Sequence, residues 1–77
     1  MRISIEYCGT CNYRPRAAAL AASIREALGV TSQLVHSNAI GVYNVLVDGD
    51  VIYSKYETDA FPEKSDIIEK LKQRQGA

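Results

Sequence analysis

The chain has 77 residues, 47% of them hydrophobic and 23% charged, with nine Lys plus Arg balanced by nine Asp plus Glu. That is material for one small globular domain. A net charge of zero removes the electrostatic case for a nucleic acid or an anionic membrane surface as partner, and no apolar run approaches the roughly 20 residues of a membrane helix.

Such a domain buries only about 60% of its unfolded surface, so its stability is expected to be marginal. The first residues enter a strand pattern directly, without a basic region and an apolar h-region, which makes the cytoplasm the expected compartment. The two cysteines are three positions apart, in Cys8-Gly9-Thr10-Cys11. A disulfide there closes almost no loop and so staples little. The spacing suits redox or metal chemistry better.

In chain order, Arg2 to Tyr7 alternates strictly, with Ile3, Ile5 and Tyr7 on one face and Arg2, Ser4 and Glu6 on the other. This predicts a strand buried on one side only, since a strand buried on both faces reads as continuously apolar. After the cysteine loop, Pro15 to Gly29 predicts a helix. Pro15 suits the first turn, alanines dominate, and Ala17, Leu20, Ala21, Ile24, Ala27 and Leu28 form one apolar stripe before a Gly29 C-cap. Val30 to His36 is a weaker strand, with Leu34 and Val35 its firmest residues. Ser37 to Gly41 reads as a loop.

Val42 to Val47 and Val51 to Ser54 read as strands joined through Asp48-Gly49-Asp50, and Asp-Gly between apolar runs is the strongest short-range hairpin signal. Lys55 to Ala60 is read as polar loop. A last helix opens near Phe61-Pro62-Glu63, with Pro62 or Ser65 at its start, Ile67, Ile68 and Leu71 as its apolar stripe, and Lys70, Lys72 and Arg74 favourable to its dipole. Gln73 to Ala77 is expected to fray.

The order is β-α-β-β-β-α. The first β-α-β unit must cross over right-handed and pair in parallel, whereas the hairpin must be antiparallel. Both are met by a two-layer α+β domain with a mixed four-stranded sheet, order 2-1-3-4, and two helices on one face. This is a minimal thioredoxin-like arrangement spanning residues 1–77, with Ile3 and Ile5 central.

Tyr7-Cys8-Gly9-Thr10-Cys11-Asn12-Tyr13, Gly41-Val42-Tyr43-Asn44-Val45, the turn around Gly49, Tyr53-Ser54-Lys55 and Phe61-Pro62 together resemble the selenoprotein W family, the small Rdx proteins of the SelW, SelT and SelH group. The resemblance covers nearly the whole chain. It implies a thioredoxin-like fold and a thiol or selenol redox role linked to glutathione and oxidant defence. Selenocysteine-bearing members carry selenium at the second loop position, which matches Cys11. No proline stands in Asn38-Ala39-Ile40-Gly41, where thioredoxin places one facing its disulfide, so docking of substrate as in thioredoxin is not implied.

At the loop itself, a thiolate rather than a thiol attacks a disulfide, and free cysteine titrates near ~8.5. A helix N-terminus with its unpaired N–H groups, together with Arg14 and Arg16, favours the anion. The catalytic candidates are therefore Cys8 and Cys11. Thioredoxin-like geometry puts Cys8 ahead as the exposed, attacking sulfur with Cys11 resolving, although the family's selenium position points to Cys11. The expected partners are glutathione or protein disulfides, with no cofactor and a monomeric chain. Three other readings stay open: a redox-sensitive interaction module without turnover, a four-cysteine zinc site shared across a dimer, and two buried cysteines serving only as small hydrophobes.

Around the loop, Tyr7 and Tyr13 are expected to pack, His36 to be a surface histidine at a strand end, and Ile40 and Gly41 to lie beside the disulfide. Phe61 is either a helix staple or part of an exposed apolar patch. Arg14 and Arg16 are candidate contacts for a glutathione carboxylate.

Overall fold

The structure is a computed structural model and describes residues 1–75. Its elements are β1 (Ile3–Cys8), α1 (Arg14–Leu28), β2 (Ser32–Ser37), β3 (Tyr43–Val47), β4 (Asp50–Ser54), α2 (Lys55–Thr58) and α3 (Lys64–Gln75). The four strands form one sheet in the order β2-β1-β3-β4. β1 pairs in parallel with β2 and antiparallel with β3, and β3 pairs antiparallel with β4. This is the mixed thioredoxin-like sheet expected from the element order, with β1 inside it.

The alternation of β1 decides which side is covered. Ile3, Ile5 and Tyr7 are buried, and their cross-strand partners Val47, Val45 and Tyr43 are buried with them. Ala17, Leu20 and Ile24 of α1 and Ile67 and Leu71 of α3 close over this face. Ser4 and Glu6 stay half-exposed on the other face, where the Asn44 side-chain amide donates to Glu6 Oε1 at 3.2 Å. Both long helices therefore lie on one face. Burying side chains of this size contributes about 1.5–3 kcal/mol each, which is how so short a chain offsets its ordering entropy.

The helix stripe is narrower than its periodicity suggests. Ala21 and Leu28 pack against the core, but Ala27 is exposed. Gly29 closes α1, its N–H donating to the Arg25 carbonyl at 2.8 Å. β2 starts two residues later than expected and takes in Ser37, and Val35 is exposed at the sheet edge rather than firm in the interior.

The hairpin turns where expected, but Asp50 pairs with Val47 and begins β4 rather than belonging to the turn. Asp48 and Gly49 are its two loop residues, with φ of 52° and 88°. Both positive values give the twist that a two-residue hairpin requires. Asp48 also anchors the entry to β1, its N–H donating to the Arg2 carbonyl while its Oδ1 accepts from the Arg2 N–H, each at 2.8 Å.

Lys55 to Ala60 is not a plain loop. Its first four residues form α2, which carries no apolar periodicity and is held by hydrogen bonds instead. Thr58 Oγ1 donates to the Ser54 carbonyl at 3.1 Å, and the N–H of Asp59, in a left-handed conformation, donates to the Lys55 carbonyl at 2.7 Å. α3 continues helical to Gln75. The remainder of the segment expected to fray, Gly76 and Ala77, lies outside the described residues.

Candidate functional site

The end of β1 and the start of α1 build the site. β1 runs through Cys8, whose N–H donates to the Val42 carbonyl at 2.8 Å, and the Gly9 N–H donates to the Ser37 carbonyl at 3.1 Å. The loop is thus tied to the end of β2 and to the segment before β3. Asn12, with φ of 59°, turns the chain into α1, a left-handed conformation that asparagine tolerates better than most residues. Tyr13 is the N-cap of α1 and Pro15 lies in its first turn, where a missing N–H costs nothing.

Cys8 and Cys11 form a disulfide, with Cα atoms 5.4 Å apart. Their exposures differ. Cys8 is 0% exposed, whereas Cys11 is half-buried. The thioredoxin-based expectation that Cys8 is the exposed sulfur is therefore reversed. Strand parity alone places Cys8 on the wet face with Ser4 and Glu6, yet it is fully buried, and the Thr10 hydroxyl lies 3.5 Å from its sulfur. The Gly41 N–H donates to Cys11 Sγ at 3.3 Å. Gly41 therefore sits beside the disulfide, while the side chain of its neighbour Ile40 stands 79% exposed.

The flanking aromatics pack. Tyr13 meets Phe61 edge-on at 4.9 Å and Tyr43 at 6.2 Å, and Tyr43 meets Phe61 at 5.3 Å. Phe61 is thus part of an aromatic cluster beside the loop. Burial pushes the Tyr43 hydroxyl up to about 12, partly countered by the Arg16 guanidinium. Arg16 lies 4.0 Å over the Phe61 ring, and the Lys55 ammonium lies 5.3 Å from the same ring and 5.9 Å from that of Tyr13. These cations are placed by π-faces. Among the described residues neither they nor Arg14 pair with a carboxylate.

His36 is exposed near the end of β2, as expected, but it is not idle. Its imidazole packs edge-on against Tyr7 at 5.9 Å. It also lies directly over Gly9, so that a Cβ there would fall 1.7 Å from Nε2. Only glycine fits that place in the Cys-x-x-Cys loop beneath this ring. The pairing was not legible in the sequence, because Gly9 reads equally well as a turn residue. The role of Tyr56 was missed as well, since its segment reads as loop. Its hydroxyl donates to the Ile40 carbonyl.

A Cys-x-x-Cys pair at the junction of an inner strand and the first helix of an open, mixed four-stranded sheet places the chain among thioredoxin-like folds. The model of the Rdx family matches residues 2–73, and the chain belongs to that family. It is 28% identical over 75 residues to migration and invasion enhancer 1 of Bos taurus and 25% identical to that of Mus musculus, covering 94% of this chain in each case. The chain spans 63% of the length of these two curated relatives.

Among solved structures it is similar to a selenoprotein W-related protein from Vibrio cholerae, with a TM-score of 0.84 and 22% identity over 94% of this chain and 92% of that one. It is also similar to a protein from Bordetella parapertussis, with a TM-score of 0.89 and 25% identity over 95% of both chains. Family and paired cysteines together support a thiol redox role. Among the described residues no helix is long and apolar enough to cross a membrane.

Proposed function

We propose that the protein is a thiol–disulfide oxidoreductase in which Cys11 attacks and Cys8 resolves. The observation that carries this reading is the asymmetry between the two sulfurs: Cys8 is fully enclosed, whereas Cys11 is half-exposed and receives the Gly41 N–H. A substrate sulfur can approach only the accessible one, and an N–H donor favours the thiolate over the thiol. The position that the family fills with selenium is the same one.

The step balances as two exchanges. The Cys11 thiolate attacks one sulfur of a substrate disulfide, forming a mixed disulfide and releasing the other sulfur as thiolate. Cys8 loses its proton to solvent and attacks Cys11 Sγ, forming the Cys8–Cys11 disulfide and releasing the second substrate thiolate. The protein loses two electrons and the substrate gains them. Two glutathione molecules return the dithiol by the reverse sequence and leave as glutathione disulfide. Glutathione mixed disulfides and protein disulfides are the substrate class. A cytoplasmic, glutathione-linked setting in oxidant defence fits this chemistry.

The test is incubation of the reduced protein with glutathione disulfide. The proposal expects the protein to lose two hydrogens by mass, with two glutathione released and no covalent dimer. Oxidation through intermolecular disulfides alone contradicts it.

A redox-sensitive interaction module is the second reading. It is favoured by Ile40, the most exposed of the large hydrophobic residues, which stands one residue from the N–H that reaches Cys11. Partner binding that depends on redox state, with no turnover of glutathione disulfide, selects it.

A further inference from the structure

The geometry points to Tyr56 as the residue that positions the Cys11 sulfur, through a single peptide unit. The Ile40 carbonyl and the Gly41 N–H belong to the same peptide bond. The described chain has no cis peptide bond, so the two groups point in opposite directions from one plane. The Tyr56 hydroxyl donates to the carbonyl end, and Cys11 Sγ accepts from the N–H end at 3.3 Å. The plane is therefore clamped between a tyrosine on α2 and the sulfur of the loop. This inference rests on the reading of Cys11 as the attacking sulfur and goes beyond it.

Three features make the clamp more than a contact. The surrounding loop is fixed independently: the Ala39 N–H donates to Ser37 Oγ at 3.1 Å and the Val42 N–H to the Ala39 carbonyl at 3.4 Å. The Tyr56 ring lies against Gly41, at 3.7 Å from where a Cβ would stand. α2 is pinned to the end of β4 by Thr58, so Tyr56 is carried on ordered backbone.

A hydrogen bond accepted by the carbonyl polarises the amide and makes its N–H a stronger donor. In the disulfide that N–H meets a neutral sulfur, a weak acceptor. After reduction it meets a thiolate, and the bond becomes charge-assisted. Tyr56 thus favours the thiolate of Cys11 without touching it. This assigns a purpose to a surface tyrosine, 59% exposed, on a four-residue helix that contributes nothing to the core.

The test compares Tyr56→Phe with the unsubstituted residue, both in a Cys8→Ser background, where Cys11 is the one thiol. The other charged and titratable groups around the loop are the same in both: Arg14 and Arg16 from α1, Lys55 from α2 and His36 from β2. The rate of alkylation by iodoacetamide is followed as a function of pH. Tyr56→Phe is expected to lower the rate at pH 7 by roughly three- to tenfold, which corresponds to about half a unit to one unit in the thiolate midpoint. The plateau rate at high pH stays within about twofold, because the thiolate itself is equally accessible.

A second measurement guards against a folding defect. The Gly41 amide resonance should follow the Cys11 titration strongly when Tyr56 is present and weakly in the Tyr56→Phe variant. Superimposable pH–rate curves, or a Gly41 amide that ignores the titration, overturn the inference. Failure of the parent reading is seen separately: Cys8→Ser then forms no mixed disulfide with glutathione disulfide, with or without the tyrosine hydroxyl.

Discussion

Gly41 donates its N–H to Cys11 Sγ from 30 residues away in sequence, and this bond ties the sulfur to the segment that leads into β3. Gly41 has φ of 78°, a conformation in which any side chain is strained. Gly41→Ala is therefore expected to cost about 1 kcal/mol of stability and to slow alkylation of Cys11, because the peptide must rotate away to relieve the strain. Denaturant midpoints and the alkylation rate at pH 7 check the two effects. Both unchanged would mean that the N–H is not a determinant of the site.

The hairpin gives a test of the fold that is independent of the chemistry. Gly49 has φ of 88° and open space around it, so Gly49→Val meets no clash and is strained only in its backbone. We expect a loss of about 1 kcal/mol or more, seen as a lower denaturation midpoint with an unchanged slope.

Gly9 is restricted for another reason, the imidazole of His36 above it. Gly9→Ala must displace that ring from Tyr7, at a cost of about 1 kcal/mol in lost aromatic packing. In a His36→Ala background the same change should be close to neutral. A double-mutant cycle on the denaturation midpoint measures the coupling, and a coupling near zero would show that His36 does not cover the loop in solution.

Tyr43 predicts an alkaline limit to stability. Its pKa is raised from 10.0 to about 12, first by burial, with Arg16 pulling the other way. Between those values the unfolded chain releases a proton that the folded chain retains. The contribution is thus fully present below about pH 10 and is lost as pH rises toward 12. The melting temperature should fall across that window, and that of Tyr43→Phe should fall less. Identical slopes for the two proteins would remove Tyr43 as the cause.

Much of this was readable in the chain, and the parts that were not share a physical cause. The alternation of Ile3, Ile5 and Tyr7 placed the helices on one face, and Asp48-Gly49 placed the hairpin, because each depends on neighbours in sequence. Crossover handedness and the antiparallel hairpin fixed two of the strand pairings, and the thioredoxin-like arrangement supplied the third, β1 against β3. α2 was missed because Lys55-Tyr56-Glu57-Thr58 has no apolar period and is held by single hydrogen bonds. The order of exposure at the cysteines was missed because the expectation rested on thioredoxin-like geometry, whereas here Cys8 is fully buried and Cys11 half-buried. The His36–Gly9 and Gly41–Cys11 contacts join residues far apart in sequence, and local patterning carries no record of them.

The most direct test of the account is the pH dependence of alkylation in Cys8→Ser and Cys11→Ser. Each variant leaves a single thiol. The account predicts that Cys11 in Cys8→Ser reacts with a thiolate pKa below the ~8.5 of free cysteine, while enclosed Cys8 in Cys11→Ser reacts more slowly at neutral pH. A low pKa and fast reaction at Cys8, with Cys11 slow, would contradict the assignment of the attacking sulfur. Two values at or above that of free cysteine would contradict the oxidoreductase itself.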